Sequence, residues 1–368
     1  SESVTVTNVE SDPIALGVGF AGGLGRLSVE YDRDSESAPK TLIAKLPSAH
    51  APTRNLLTTL GVYEREVRFY QNVASEIPMR TPKCFVASFD SESKGFILLL
   101  EDLGAMRSPD QTVGCAVDDA KLAVETLAKL HGSIWNSPLL GEWNWAPKWD
   151  AGAEVFASSF PGWWARLQQN FPSAISDEFR KTAEMVTPHI ASIKSRLSRR
   201  PVTLCHGDYR LANMFFDDTD KASPLVVFDW QAVRVGRAPY DLAYFLGGSM
   251  TVEDRRAHER QLKATYYASL IQAGVTNYSE HEFEEDYGYA LLDLVSFTAL
   301  VGGNLSFDNE QAQNLMIGLI SRVADTLSYV RSEEHTSNSS HKPISYAVFC
   351  LQKNIPPPPS PPPPSCLL

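Results

Sequence analysis

Two short apolar runs in this chain end in acidic turns. The first reads Leu204-Cys205-His206-Gly207-Asp208, with an amide, Asn213, five residues after the acid. The second reads Val226-Val227-Phe228-Asp229-Trp230-Gln231. Two carboxylates and one carboxamide, each at a strand end or in the loop beside it, suit oxygen-seeking cations and an incoming hydroxyl. One Asp can receive or orient the hydroxyl while an Asp and an Asn hold Mg2+, which is the donor set of phosphoryl transfer. A lone His-Gly-Asp carries little weight, so the reading depends on what else the chain supplies in order.

Residues 4 to 32 predict a strand, a glycine-rich turn and a second strand. The turn runs from Gly17 through Gly19, Gly22 and Gly23 to Gly25. Glycines let backbone amides approach phosphate oxygens closely, and Gly19, Gly22 and Gly23 are candidates for that contact. A plain glycine-rich hairpin is the alternative. Strands on both sides argue against a dinucleotide fingerprint, where a helix must follow the glycines. Thr41-Leu42-Ile43-Ala44-Lys45-Leu46-Pro47 reads as an apolar strand with one Lys inside it. Lys45 is either an edge or snorkelling residue or a phosphate-binding Lys one strand after the glycine turn.

A single amphipathic helix is predicted over residues 54 to 75, with Leu56, Leu60, Tyr63, Val67, Tyr70 and Ala74 at helical spacing. Glu66 borders its apolar stripe and is preferred over Glu64 as a partner for Lys45. Residues 83 to 100 predict a hairpin, after which Glu101-Asp102-Leu103-Gly104 suits a hinge. Backbone recognition of a nucleotide base belongs there, with Glu101 the candidate. The remainder reads as helices near 120 to 135, 174 to 199, 238 to 246, 252 to 273, 280 to 302 and 309 to 330, around one small hairpin. The expected fold class is therefore α+β and two-lobed. A small β-rich lobe spans residues 1–103 and a larger, mainly helical lobe spans 104–330.

Residues 135 to 164 hold six of the seven tryptophans. They suit core packing, or the aromatic wall of a substrate pocket. Glu282, Glu284, Glu285 and Asp286 read as a solvated helix start, with attraction of a cation as the alternative. Beyond residue 330 the character changes. Arg331-Ser332-Glu333-Glu334-His335-Thr336-Ser337 and Ile344-Ser345-Tyr346-Ala347-Val348-Phe349-Cys350-Leu351 resemble in-frame translation of a sequencing adapter. On that reading residues 331–368 are a disordered appendage to be left out of the fold. A natural Pro-rich recognition tail is the alternative.

The net charge of -11 with no basic stripe argues against nucleic acid and anionic membranes as partners. The five cysteines form no Cys-x-x-Cys pair, so a zinc knot or disulfide framework is not expected, and a reducing cytoplasm suits them. No apolar run approaches the roughly 20 residues of a membrane span. The chain opens on strand-like Val4-Thr5-Val6-Thr7 without an initiator Met, which suggests truncation at the front.

Taken together, His206-Gly207-Asp208 with Asn213, Phe228-Asp229-Trp230-Gln231 and Pro239-Tyr240-Asp241-Leu242-Ala243-Tyr244-Phe245-Leu246 resemble the aminoglycoside phosphotransferase and choline kinase-like superfamily. Leu42-Ile43-Ala44-Lys45-Leu46-Pro47, Arg65-Glu66-Val67-Arg68-Phe69-Tyr70 and Leu99-Leu100-Glu101-Asp102-Leu103 bring it closest to the ecdysteroid kinase-like branch. That branch has Asp-Phe-Gln where this chain has Asp229-Trp230-Gln231. The resemblance implies a protein-kinase-like fold and an ATP- and Mg2+-dependent transfer to the hydroxyl of a small molecule. Asp208 would be the catalytic base, and Asn213 and Asp229 would bind Mg2+. Lys45, oriented by Glu66, would hold the ATP phosphates beneath the glycine turn. His206 and Asp241 would brace the loop. The acceptor could be a steroid or sugar alcohol, an aminoglycoside, a choline-like alcohol or a hydroxyacyl thioester. A catalytically silent nucleotide-binding scaffold is the alternative, against which stands the filling of every expected catalytic position. Gly207 where protein kinases carry Arg, and no segment ending in Ala-Pro-Glu, argue against a protein kinase. Nothing in the chain specifies an oligomeric state.

Overall fold

The structure is a computed structural model, and it describes residues 4–14, 22–35, 38–305, 307, 309–336 and 347. In chain order the elements are β1 (Val6–Pro13), β2 (Gly22–Tyr31), β3 (Thr41–Pro47), α1 (Ala51–Thr59), α2 (Val62–Asn72), β4 (Cys84–Phe89) and β5 (Phe96–Glu101). There follow α3 (Val117–Ser133), α4 (Ala153–Asn170), α5 (Asp177–Val186), α6 (Ile190–Leu197), β6 (Thr203–Cys205), β7 (Met214–Phe216), β8 (Leu225–Val227) and β9 (Arg234–Gly236). The chain closes with α7 (Pro239–Ser249), α8 (Val252–Gln272), α9 (Glu280–Asn304) and α10 (Glu310–Thr336). The contacts divide these elements into two units. One comprises Ser1–Ser108 and Asn213–Val233, the other Pro109–Ala212 and Arg234–Leu368.

The first unit is an antiparallel five-stranded sheet, in the order β1-β2-β3-β5-β4, with α1 and α2 and the β7–β8 hairpin. Strand β5 alternates strictly, burying Phe96, Leu98 and Leu100. That is the period-2 pattern of a sheet covered on one face. The covering element is α2, which buries Tyr63, Val67, Phe69 and Tyr70. The one helix expected over 54–75 is two, because Gly61 sits at φ 69 between them. A left-handed residue ends one helical run and lets the next start at a new angle. A Cβ on Gly61 would meet nothing within 4 Å, so the backbone conformation alone sets the residue type. Gly61→Ala is accordingly expected to cost about 1 kcal/mol, the left-handed penalty of an L-residue, in urea denaturation with an unchanged m-value.

The second unit is helical. Helix α9 is buried on nearly every side, and α4, α6, α7 and α10 pack around it. From Tyr287 on its residues are largely apolar on every side, and a helix stretch of that kind has no solvent face, so it sits in the centre. Helix α4 was not anticipated from the sequence. It carries Pro161 in its interior yet buries Phe160 and Leu167 one heptad apart, so packing outweighs the lost backbone hydrogen bond. The helix expected over 174–199 is interrupted by a short turn, Thr187–His189, that contains Pro188. One small hairpin was expected, but two three-residue pairings form: β7 with β8 in the first unit, and β6 with β9 in the second. Helix α10 runs to Thr336, six residues past its expected end. The acidic group at the start of α9 is not a solvated end throughout. Glu282 closes a capping box with Ser279, while Glu285 and Asp286 are buried. Asp286 pairs with Arg237 at 2.6 Å and Arg196 at 3.0 Å, and accepts from the Tyr278 hydroxyl at 2.9 Å. Of the six tryptophans between 135 and 164, Trp149 is fully buried and the others are half-buried. No helix among the described residues is long and apolar enough to cross a membrane.

Candidate active site

In the first unit three elements converge on one buried cation. Strand β3 turns Lys45 inward, and its ammonium lies 2.7 and 2.9 Å from the two carboxylate oxygens of Glu66 on α2. The same ammonium lies 2.8 Å from Oδ1 of Asp229, at the end of β8. Glu66 also accepts the backbone N–H of Trp230. Trp230 stacks on Phe69 of α2 with centroids 3.9 Å apart and planes 7° apart, so this position needs a flat ring of any kind. Arg65, buried beside it, donates to the Gln231 and Leu60 carbonyls at 3.0 and 2.9 Å. Asp229 itself has φ 66 and ψ 61, a left-handed backbone that costs a non-glycine residue about 1 kcal/mol or more. Strain of that kind persists where the surroundings over-determine it.

One lysine charge faces two carboxylates here. Burial raises the Glu66 carboxyl to about 7, with Asp229 adding to the rise and Lys45 opposing it. Burial alone would lower Lys45, but Asp229 and then Glu66 outweigh it and hold the ammonium well above its ordinary range. Because the folded Glu66 binds its proton more tightly than the unfolded one, its contribution to stability is complete below the ordinary carboxyl value of 4.5 and is lost as pH rises through about 7. The unfolding free energy of the ligand-free protein should therefore carry a component that falls between pH 5 and 8. Glu66→Gln should remove it, as urea titrations at several pH values would show.

Asn213 stands directly before β7, and its carbonyl accepts the Phe228 N–H at 3.1 Å. The hairpin register thus puts Asn213, which is 3% exposed, across from the residue next to Asp229. A buried amide oxygen and a carboxylate at one end of a hairpin are hard oxygen donors, the chemistry Mg2+ requires, and one or two such ligands suffice when phosphates supply the rest. The donor set fits. Gly22 and Gly23 open β2 opposite Pro47 and Leu46, and a Cβ on Gly22 would come within 2.5 Å of the Leu46 carbonyl oxygen. Close strand packing is thus a sufficient reason for that glycine. Gly19 lies outside the described residues. Glu101 ends β5, where its carboxylate accepts the Lys83 N–H at 3.0 Å and lies 3.8 Å from Arg80. Its backbone N–H donates to the Lys83 carbonyl.

In the second unit the loop after β6 is held by side chains. Asp241, at the start of α7, accepts the backbone N–H of His206 at 2.7 Å and of Gly207 at 2.9 Å. Gly207 has φ 82, which is why the residue between His206 and Asp208 is glycine. The Asp208 N–H donates to His206 Nδ1, the Leu211 N–H to Ser249 Oγ, and the Ala212 N–H to Gln111 Oε1. The Asp208 side chain, 16% exposed, meets Arg210 Nε at 3.2 Å and the Tyr244 hydroxyl. Tyr244 lies one turn after Asp241 on α7, so one helix face touches both the loop backbone and its carboxylate.

His131, on α3, extends this network. Its Nε2 is 3.2 Å from Asp241 Oδ2 and its Nδ1 is 2.6 Å from the Tyr266 hydroxyl. His131, Cys205 and Asp241 are close enough to suggest a metal cluster. The hydrogen bonds already made by the ring nitrogens and the carboxylate mark it instead as a hydrogen-bonded support. His131, Ser249 and Gln111 escaped the sequence reading, and Tyr244 and Arg65 entered it only as motif residues with no part of their own. Only Tyr244 had a local signal, its i+3 spacing from Asp241.

Residues 17–134 and 145–275 match the sequence model of the ecdysteroid kinase-like family. The chain belongs to that family. No curated protein matches it by sequence. Among solved structures, this family member is similar to a Ralstonia eutropha protein assigned as an aminoglycoside phosphotransferase, at 14% identity over 88% of this chain and 92% of that one, with a TM-score of 0.53. It is also similar to an amicoumacin kinase in complex with AMP-PNP and Ca2+, at 11% identity over 86% and 88% of the two chains, with a TM-score of 0.51. The GDP complex of aminoglycoside 2'-phosphotransferase-IIIa matches at 14% identity over 88% and 94%, with a TM-score of 0.50. Identities this low speak to the fold. The family member has the protein-kinase-like architecture of an antiparallel sheet lobe and a helical lobe.

Proposed function

We propose that this protein transfers the γ-phosphoryl group of ATP to a hydroxyl group of a small molecule. The observation that carries the reading is the ion-pair trio of buried Lys45 and Glu66 with Asp229, and Asn213 across the hairpin end. A lysine ordered by a helix glutamate and a strand-end aspartate is the arrangement that clamps nucleotide phosphates beside a divalent cation. The relatives bound to GDP or to AMP-PNP and Ca2+ agree with it.

On this reading Lys45 binds the phosphates, and Asn213 and Asp229 hold Mg2+. When bound, that cation neutralises charge on the phosphate oxygens as the transferring group loosens from ADP. Asp208 orients the acceptor hydroxyl and takes its proton. Much of its value is positional, because a loose transition state demands little of a base. The side-chain ties from Asp241, His206, Ser249 and Gln111 to successive loop amides hold Asp208 in place, so little reorganisation is needed at the moment of reaction. The half-buried Arg210 and the buried Tyr244, both in contact with its carboxylate, keep it oriented. We assign the protein a reducing, cytoplasmic setting, in keeping with the absence of a disulfide among the described Cys84, Cys115 and Cys205.

The test is ADP release from Mg-ATP, screened over sterols, sugar alcohols, aminoglycosides, choline-like amines and hydroxyacyl thioesters. One acceptor class should raise ADP formation far above the background with water, and omission of Mg2+ should abolish it. ADP formation unaffected by every class, with no nucleotide binding, would overturn the reading.

A further inference from the structure

We propose that Arg234 and Tyr240 form an anion subsite for the acceptor, so that the molecule whose hydroxyl Asp208 receives carries a carboxylate or phosphate group a short spacer away. The inference rests on the phosphotransferase reading above and narrows its acceptor class.

The subsite is built on Trp149, within the second unit. Strand β9 holds the segment that ends in this residue through Val235. The Val235 N–H donates to the Pro147 carbonyl and its carbonyl accepts the Trp149 N–H, both at 2.9 Å. Arg234 and Gly236 share the other face of β9 from Val235. A Cβ on Gly236 would come within 2.6 Å of the Trp149 ring, so glycine lets the indole lie against the strand. The indole N–H donates to Asp293 at 2.9 Å, which fixes the ring. Half-buried Arg234 reaches over that ring, its Cζ 4.8 Å from the centroid. Tyr240 meets the same indole, with centroids 4.0 Å apart.

Both polar groups on this platform lack an acceptor. Among the described residues the Arg234 side chain makes no ion pair and no hydrogen bond, and the hydroxyl of Tyr240, a residue 2% exposed, makes no hydrogen bond. Asp293 is already engaged by Lys194, by Trp149 and by the Ser296 hydroxyl, each at 2.9 Å. Burial lowers the Lys194 ammonium, and Arg234 adds to that against the pull of Asp293. Two cations thus share one carboxylate, in a chain whose net charge is -11. A guanidinium laid on a ring uses its face there and keeps its in-plane N–H donors. With a tyrosine hydroxyl beside it, the pair suits the oxygens of a carboxylate or phosphate. A snorkelling arginine would need only to cap the indole, and that would not leave the hydroxyl of a buried tyrosine without a partner.

The subsite adjoins the candidate base. Arg234 pairs in register with Cys205, three residues before Asp208. Tyr240 lies one turn before Tyr244 on α7, with ring centroids 6.3 Å apart, and the Tyr244 hydroxyl meets Asp208. An acceptor whose hydroxyl is held at Asp208 can therefore lay its body along Tyr244 and its anionic group at Arg234 and Tyr240. Aminoglycosides and choline-like amines bring the wrong sign of charge to that end, and hydroxy acids and alcohol phosphates bring the right one.

Two sets of acceptors test this with the full chain: ω-hydroxycarboxylates of increasing length, each beside its neutral primary amide, and glycerol phosphate beside glycerol. Binding is read by calorimetry and turnover by ADP release from Mg-ATP. At one spacer length or in the phosphate pair, wild type should favour the anionic member by about 10- to 100-fold in Kd and in kcat/KM, the range for one charged hydrogen bond. Arg234→Met, which keeps an apolar chain over the indole, should bring the anionic member down to the level of the neutral one, with a thermal midpoint near wild type. Arg234→Lys should keep part of the preference, and Tyr240→Phe should lower it severalfold. No preference for any anionic member in wild type, or a preference that survives Arg234→Met, would overturn the inference and leave the phosphotransferase reading intact. Anion-selective binding that Arg234→Met abolishes, with no ADP formed from any acceptor, would overturn that reading and leave the subsite.

Discussion

Asp208→Asn should lower the rate of ADP formation by about 10³-fold, within the 10²–10⁴ expected for a lost proton acceptor. Affinity for Mg-ATP should be nearly unchanged. The substitution keeps the side chain's shape and an acceptor oxygen for Arg210 and Tyr244, but it removes the charge and the site for the hydroxyl's proton. The loop itself should survive, because its amides are held by Asp241, His206, Ser249 and Gln111. Asp208 is 16% exposed, so the change should cost little stability. ADP release measured beside calorimetric titration of Mg-ATP separates the two effects. Equal turnover in variant and wild type would remove Asp208 from the mechanism.

Lys45→Met should have the second large effect, and it should be double. Catalytically, loss of the phosphate clamp is expected to lower kcat/KM for ATP by about 10²–10³-fold. Structurally, the ammonium lies within 3 Å of both Glu66 and Asp229. Its removal leaves the buried Glu66 carboxylate facing Asp229, whose side chain is 20% exposed, and breaking a largely buried pair in this way costs up to about 3–5 kcal/mol. The sign of the pH dependence follows from Glu66. Its carboxyl is already raised to about 7 with Lys45 opposing the rise, so without Lys45 it should hold a proton still more readily. The variant should therefore lose most stability at pH 8 and recover part of it near pH 5, as Glu66 becomes neutral. Unfolding by urea at the two pH values measures this. A pH-independent loss would show that Glu66 and Asp229 do not share the lysine's charge.

The parts of this protein that could be read from the chain are those written locally. Alternation in Phe96–Glu101 specifies a half-covered strand, because period is a short-range property, whereas the glycine turn expected from Gly17 on gives way to strand β2 already at Gly22. Side-chain type and order along the chain also pointed to Lys45, Glu66, Asp208, Asn213 and Asp229 as one set. What could not be read depends on partners distant in sequence. Helix α4 holds together through Phe160 and Leu167 despite Pro161, and the pattern there is indistinct until α9 is packed against it. The three-residue strand β6 has too few residues to show a period, and its partner β9 lies some thirty residues on. Glu285 and Asp286 look like a solvated helix start because nothing near them in sequence announces Arg196 and Arg237.

The chain by itself named the groups available for chemistry, and their family-like order raised the expectation of one phosphoryl-transfer set. Tertiary structure decided how each group is held. Only the folded protein sets Lys45 between two carboxylates, and burial, with Asp229 adding to it, lifts Glu66. Only the fold puts Asp241 beneath the amides of His206 and Gly207, and His131 beneath Asp241. The physical reason is that composition and spacing state what a side chain can donate or accept. Burial and the charge of its neighbours state how strongly it does so, and those come from segments 21 to 184 residues apart along the chain.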